Sequence, residues 1–173
     1  KIPTNYLVRI DWPVAIGGQV VDADGNPVAG AKVGWNQQDD PATLTLPQNH
    51  NFGWIETTTD ENGKWRINRI AEDMIPRIYG SAQQSNYVDS AMVFVGRDPA
   101  VEKQLRAGTY VFKLGRAVTV TGIVLDSAGN PAPDAKVLVG HISETGARHG
   151  KSQTDGTFSI SGCPPGKHLV TAV

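Results

Sequence analysis

The chain has 173 residues, enough for one or two domains, and 39% of them are hydrophobic against 19% charged, a globular balance. Sixteen Lys and Arg meet seventeen Asp and Glu, so no basic surplus points to nucleic acid and no strong acidic one to cationic partners. No run of about 18 apolar residues offers direct insertion into a membrane as a helix, and the single Cys163 excludes an internal disulfide.

In chain order, "NYLVRI" (5–10) comes first, with Tyr6, Val8 and Ile10 alternating against Arg9, the period of a half-buried strand. Val14, Ile16, Gly18 and Val20 alternate in the same way. "DADGNP" (22–27) then breaks the chain with turn formers: Gly and Asn tolerate positive φ, and Pro pre-sets φ. "AKVGW" (31–35) resumes as a strand with Ala31, Val33 and Trp35 facing inward. A polar stretch, "NQQDDPATLTLPQNHNFG" (36–53), separates it from the hairpin "TTTDENGKWRI" (57–67), whose turn is Asn-Gly and whose inward residues are Trp65 and Ile67. "DPAVEKQLRAG" (98–108) carries the one helix signal, with Asp98 as N-cap, Pro99 at the first position and Gly108 as terminator.

The remainder repeats what has gone before. "GQVVDADGNPVAGAKV" (18–33) recurs 104 residues later as "GIVLDSAGNPAPDAKV" (122–137), with nine of sixteen positions identical and no gap. The same offset lays Tyr6, Val8 and Ile10 on Tyr110, Phe112 and Leu114. "SQTDGTFSI" (152–160) repeats the hairpin, with Phe158 and Ile160 in the places of Trp65 and Ile67, and "PPGKHLVTAV" (164–173) feeds a further strand. Because Tyr110–Leu114 ends a full repeat, Tyr6–Ile10 is expected to end a preceding one, and the chain to be a window on a longer array. The predicted fold is all-β: two tandem antiparallel β-sandwiches with Greek-key connections, the second incomplete. The predicted limits are 1–12 for a preceding strand or extension, 13–114 for the first sandwich and 115–173 for the second, with almost no linker at Gly115–Arg116.

"G-x-V-x-D-x-x-G-x-P-x-x-x-A-x-V", then "T-D-x-G-x-F-x-I", then "P-P-G-x-x-x-V-x-A", resembles the carboxypeptidase regulatory-like domain. The resemblance implies the transthyretin, or prealbumin-like, sandwich, and an accessory role in an exported protein: secreted, periplasmic or at the cell surface. Such domains serve many partners, so the motifs specify fold far better than function. Three features depart from the pattern: the 36–53 insertion, His168 in place of an aromatic, and a second repeat that stops short of the first repeat's last third. An edge left open in that way is a template for strand addition.

Enzymes sharing this fold are tested by their ligands. Intradiol dioxygenases resemble "GQVVDADGNPVAGAKVGWNQQ" but hold iron with two Tyr and a His-x-His pair, and His50, His141, His149 and His168 form no such pair. Hydroxyisourate hydrolases end in Tyr-Arg-Gly-Ser, whereas "IYGSA" (78–82) lacks the Arg and lies mid-chain. Asp22, Asp24 and Asn26 suit a turn better than a calcium loop, since Pro27 and Val33 stand at the sixth and twelfth places. Cys163 has neither a base nor a helix start in "SGCPPG" to activate it. The first strands carry no Lys for an isopeptide, and Lys32 and Lys136 lie on the second strands.

No catalytic residue, metal ligand or cofactor is therefore expected. The candidate ligand-binding residues are Trp35, Trp54, Asn36, Gln37 and Asp39, because aromatic faces beside amides and carboxylates bind sugars by stacking and hydrogen bonding. Against that, the alternation points Trp35 inward and Trp65 aligns with Phe158, so core packing claims at least two of the four tryptophans. The expected function is a non-catalytic structural spacer or protein-interaction module of a larger bacterial protein, whose partners are neighbouring repeats, another protein or a polysaccharide. A carbohydrate-binding module using the 36–55 loop and an accessory domain of a peptidase are the alternatives. Excision of 38–52 is expected to leave the fold intact.

Overall fold

In a computed structural model, residues 13–37, 54–140 and 147–173 are described. The expectations for Tyr6–Ile10, and for most of the 36–53 insertion, lie outside them.

The strands are β1 (Val14–Val21), β2 (Lys32–Gln37), β3 (Ile55–Thr58), β4 (Lys64–Ile70), β5 (Ile78–Gln83), β6 (Tyr87–Val88), β7 (Val93–Phe94), β8 (Tyr110–Lys113), β9 (Gly115–Arg116), β10 (Val118–Ile123), β11 (Lys136–Val139), β12 (Arg148–Lys151), β13 (Thr157–Cys163) and β14 (Val170–Ala172). Short 3-10 turns at Glu72–Arg77 and Val95–Arg97 were not foreseen. Helix α1 (Pro99–Ala107) was, down to its caps: Asp98 accepts the Ala100 N–H at 2.9 Å, and Gly108 ends the helix at φ 70°.

In the first repeat, a sheet ordered β4-β1-β8 faces one ordered β3-β2-β5-β7. Ile16, Val20, Trp65, Ile67 and Phe112 come from the first sheet, Val33, Trp35, Ile78 and Ala82 from the second, and together they form one buried cluster. At its centre the Trp35, Trp65 and Phe112 rings stand 5.7 to 6.0 Å apart, tilted rather than stacked face to face. A side chain at Gly80 would overlap the Trp35 ring, so the glycine of "IYGSA" is what admits that tryptophan. The buried indole N–H groups of Trp35 and Trp65 meet no acceptor among the described residues.

One pairing corrects the antiparallel expectation. β8 runs parallel to β1, with Gly18 opposite Tyr110 and Val20 opposite Phe112. Parallel neighbours need a crossover, and the α1 segment that leads into β8 packs on β1 with Leu105 fully buried.

The second repeat builds the same plan with fewer parts. β10 pairs with β13, β11 lies between β12 and β14, and Val137, Val139, Phe158, Ile160 and Cys163 make a separate, smaller cluster. The copies agree in fine detail. Each first strand carries a register shift at the same place, between Val14 and Ile16 and between Val118 and Val120.

Their turns are also alike. Asp22 accepts the N–H groups of Asp24 and Asn26 at 2.9 Å, and Asp126 those of Ala128 and Asn130 at 2.8 Å. These carboxylates are engaged by their own loops, which accords with the turn reading over the calcium one. Hydrogen bonds from Asn26 hold the Asp22 carboxyl below its ordinary value, and those from Asn130 do the same for Asp126.

Candidate functional site

Two surfaces stand out, the outer face of the sheet containing β2 and the joint between the repeats. Alternation along β2 sends Val33 and Trp35 into the core and leaves Lys32, Gly34 and Asn36 on the outer face. Residues directly opposite in neighbouring strands share a face, so Glu56, Ser81 and Tyr79 join them. Trp54 is 44% exposed and lies across Gly34, where any side chain would overlap its indole; its N–H donates to Glu56 Oε2 at 3.3 Å. Lys32 Nζ stands 3.5 Å from Glu56 Oε1. Farther across the face, Tyr79 stacks on Phe94 at 5.4 Å and the Arg97 guanidinium caps the Phe94 ring at 4.1 Å.

The candidate residues divide accordingly. Trp35 is wholly buried, at 0% exposure, and this removes it from any surface platform; the inward reading of the alternation holds instead. Trp54 and half-buried Asn36 do reach the outer face. Gln37 closes β2, and Asp39 lies outside the described residues. Phe94 and Arg97 were missed, because a two-residue strand such as β7 has no periodicity to reveal which face it presents, and Tyr79, on the six-residue β5, because its own strand does not show which strands lie beside it.

At the joint, the expected linker is itself a strand. β9 pairs with β6, Val88 opposite Gly115 and Tyr87 opposite Arg116. Arg148, on β12 of the second repeat, donates to Asp89 Oδ1 at 2.8 Å and to the Tyr87 carbonyl at 3.4 Å. Arg116 reaches both carboxylate oxygens of Asp24, at 2.6 and 2.9 Å, from a far more exposed position. Gly162 fits where a side chain would press on the Ser85 carbonyl and the Arg148 guanidinium. Between the repeats runs an open cleft of about 510 Å³, with Lys32, Gln83 and Asp89 on one wall and Arg148 and His149 on the other.

Burial pushes the Cys163 thiol up, away from reactivity, and its Sγ sits 3.5 Å from the Ile160 carbonyl. His168 is occupied by the Pro164 carbonyl at 2.6 Å. Among the described residues, no three His, Cys, Asp or Glu gather as metal ligands, and no helix is long and apolar enough to cross a membrane.

The class this defines is a repeated β-sandwich protein with a small amount of helix. Residues 119–173 match the family model of the carboxypeptidase regulatory-like domain, as the motifs of the second repeat implied. No curated protein matches the chain. Solved structures similar to it include 3-chlorocatechol 1,2-dioxygenase from Rhodococcus opacus 1CP, at 18% identity and TM-score 0.37 over 60% of this chain and 59% of that one. The shaft pilin SpaA from Lactobacillus rhamnosus GG is similar at 11% identity and TM-score 0.38, covering 93% and 86%. A streptococcal ancillary pilin is similar at 13% identity and TM-score 0.39, covering 94% and 59%. The chain thus spans about three fifths of the dioxygenase and of the ancillary pilin.

Proposed function

We propose that the chain is a non-catalytic pair of β-sandwich modules, 13–114 and 115–173, from a larger exported bacterial protein, in which it spaces or presents its neighbours and meets protein partners. The observation that carries this reading is the joint. A flexible linker would leave the repeats free, whereas here the connecting residues are hydrogen-bonded as β9 and Arg148 crosses to Asp89. Arg148 and Asp89 are each only a fifth to a quarter exposed, so solvent screens this pair less than it does Arg116–Asp24.

Nitroxide labels at Asn62→Cys and Ala128→Cys test it, since the native Cys163 is buried and spared. A single narrow distance distribution, broadened by Arg148→Ala, is expected. A broad distribution in the parent chain would remove the spacer reading.

Trp54 favours a second reading, a carbohydrate-binding face. An exposed indole beside Asn36 and Glu56 offers stacking and hydrogen bonding together. Titration of tryptophan fluorescence with soluble polysaccharides, beside Trp54→Ala, tests it. A saturable change lost in the variant supports this reading, and a flat response defeats it. The peptidase-accessory reading rests on the family match alone.

A further inference from the structure

The outer sheet faces of the two repeats carry different chemistry at equivalent positions. In the first, Lys32 stands opposite Thr58 and Gly34 opposite Glu56; in the second, Lys136 stands opposite Lys151 and Leu138 opposite His149. On the first face Glu56 answers Lys32, and Trp54 lies over Gly34 and fills the centre. At the matching places the second face has His149 for Glu56, Lys151 for Thr58 and Ala147 for Trp54. What remains there is an open groove of about 450 Å³, lined by half-buried Leu138 and by exposed Lys136, Lys151 and His149.

Two lysines directly opposite each other in an antiparallel pair repel. Their relief within the chain is slight. Lys151 Nζ lies 3.7 Å from Asp134 with both groups largely exposed, and Lys136 meets no carboxylate among the described residues.

The groove also borders a free strand edge. The backbone of Lys136 bonds to Val173, on the β14 side, and the Ala135 carbonyl accepts from Ser152, on the β12 side. Partners alternate along a strand, so Arg148 and Gly150 bond to β11, and the N–H and C=O groups of His149 and Lys151 point away from it. Among the described residues β12 is the outermost strand of its sheet, β12-β11-β14. Its counterpart β3 is outermost in the order β3-β2-β5-β7, so the open edge belongs to the plan that both repeats share.

From this contrast we infer that β12 docks an extended acidic peptide of a partner protein, which adds to the sheet as a strand and sets its carboxylates against Lys151 and the neighbouring Lys136. The inference rests on the reading of the chain as an interaction module, and names the site and the chemistry of the partner. The edge favours a peptide over a glycan or an anionic lipid. Side chains on one face of a strand recur about every 7 Å. Acidic residues at alternate positions therefore fall opposite His149 and Lys151 and exchange backbone hydrogen bonds with them. The first repeat's face lacks this complementarity, because Glu56 stands where the second has His149.

Fluorescence anisotropy of a labelled peptide alternating Glu and Val, titrated with the whole chain, tests the inference. Saturable binding is expected, weaker by about tenfold or more in Lys151→Glu. It is expected to be unchanged in Lys103→Glu, an equal change of net charge placed on α1. A second peptide, N-methylated at its Glu residues, keeps every charge but cannot donate to the strand edge, and is expected to bind about tenfold more weakly. Slower amide exchange at His149 and Lys151 in the bound state is the local readout. Absence of saturable binding overturns the inference, as does binding that survives Lys151→Glu. Binding indifferent to N-methylation also overturns it, and would mark a patch that holds anions, glycan or lipid included, by charge alone. The label distances across the joint report on the spacer reading separately, so either idea can fail while the other stands.

Discussion

The two repeats share a turn grammar and differ in their cores, and the difference shows which part of a repeat specifies topology and which supplies stability. Asp, Gly, Asn and Pro sit at matching places, and the Asp-centred turns they make are alike within about 0.1 Å in their principal hydrogen bonds. The interior is unequal. The first repeat packs three large rings and closes them with Leu105, Leu114, Ile75 and Val95 from the segment after β4. In the second, Val139 stands in the place of Trp35, Phe158 in that of Trp65, and nothing among the described residues takes the part of Phe112. Turn residues therefore suffice to lay out the strands, but buried area determines how firmly they are held.

The largest expected effect is Trp35→Ala, which empties the first core and costs roughly 3–5 kcal/mol of that repeat's stability by chemical unfolding. Val139→Ala, its counterpart, is expected to cost roughly 1–3 kcal/mol, because less volume is removed from a looser site. Equal losses would break the contrast between the cores.

A hydrogen-bonding unit common to both repeats sharpens the comparison. Thr59 Oγ1 accepts the Ala31 N–H at 2.8 Å and donates to the Val28 carbonyl at 2.7 Å; Ser152 Oγ does the same for Ala135 at 2.9 Å and Ala132 at 2.6 Å. Thr59→Ala, which strips partners from buried backbone groups, is expected to cost about 1–3 kcal/mol in thermal or urea unfolding, and Ser152→Ala, whose backbone partners are part-buried, about 1–2 kcal/mol. Thr59→Ser, which imports the second repeat's solution into the first, is expected to recover most of that loss.

At the joint the expected effects are smaller. Arg148→Ala should uncouple the repeats by roughly 1–2 kcal/mol, and Arg116→Ala by much less, as read from the separation of their unfolding midpoints.

Acid gives the most even response. Asp22, Asp126 and Asp155 have carboxyls lowered from an ordinary 3.8, the last chiefly by the Thr157 hydroxyl. A lowered folded value means that this stabilisation is fully present above the ordinary value and is lost as pH falls through the folded one. Melting temperature should hold steady from neutral pH to about 5 and decline below about 4 in both repeats, less steeply in Asn26→Ala and Asn130→Ala.

The β-rich layout was legible because alternation and turn chemistry repeat locally: Ile16 to Val20, Trp65 to Ile67 and both Asp-centred turns could be read directly. Helix α1 was legible from its caps. The parallel docking of β8 was not, since β8 alternates like any strand and its direction is set by where α1 delivers it. Nor were β5 to β7: β6 and β7 are two residues long and leave no period to count, Pro76 interrupts the approach to β5, and the place of β5 beside β2 depends on Gly80 making room for Trp35. The candidate site was half legible for a related reason. Alternation assigned Trp35 inward, but only the sheet register shows that Trp54 lies over Gly34 and that Tyr79 and Phe94 share its face.

Trp35, Trp54 and Trp65 lie in the first repeat and no tryptophan in the second, so fluorescence does not report on the second repeat's core, while far-ultraviolet circular dichroism follows both. Urea unfolding recorded with the two probes tests most directly whether one motif has built two separate cores of unequal strength. Two transitions by dichroism, with fluorescence reporting only the later one, are the expected result. A single midpoint shared by both probes would show one cooperative core and contradict the account.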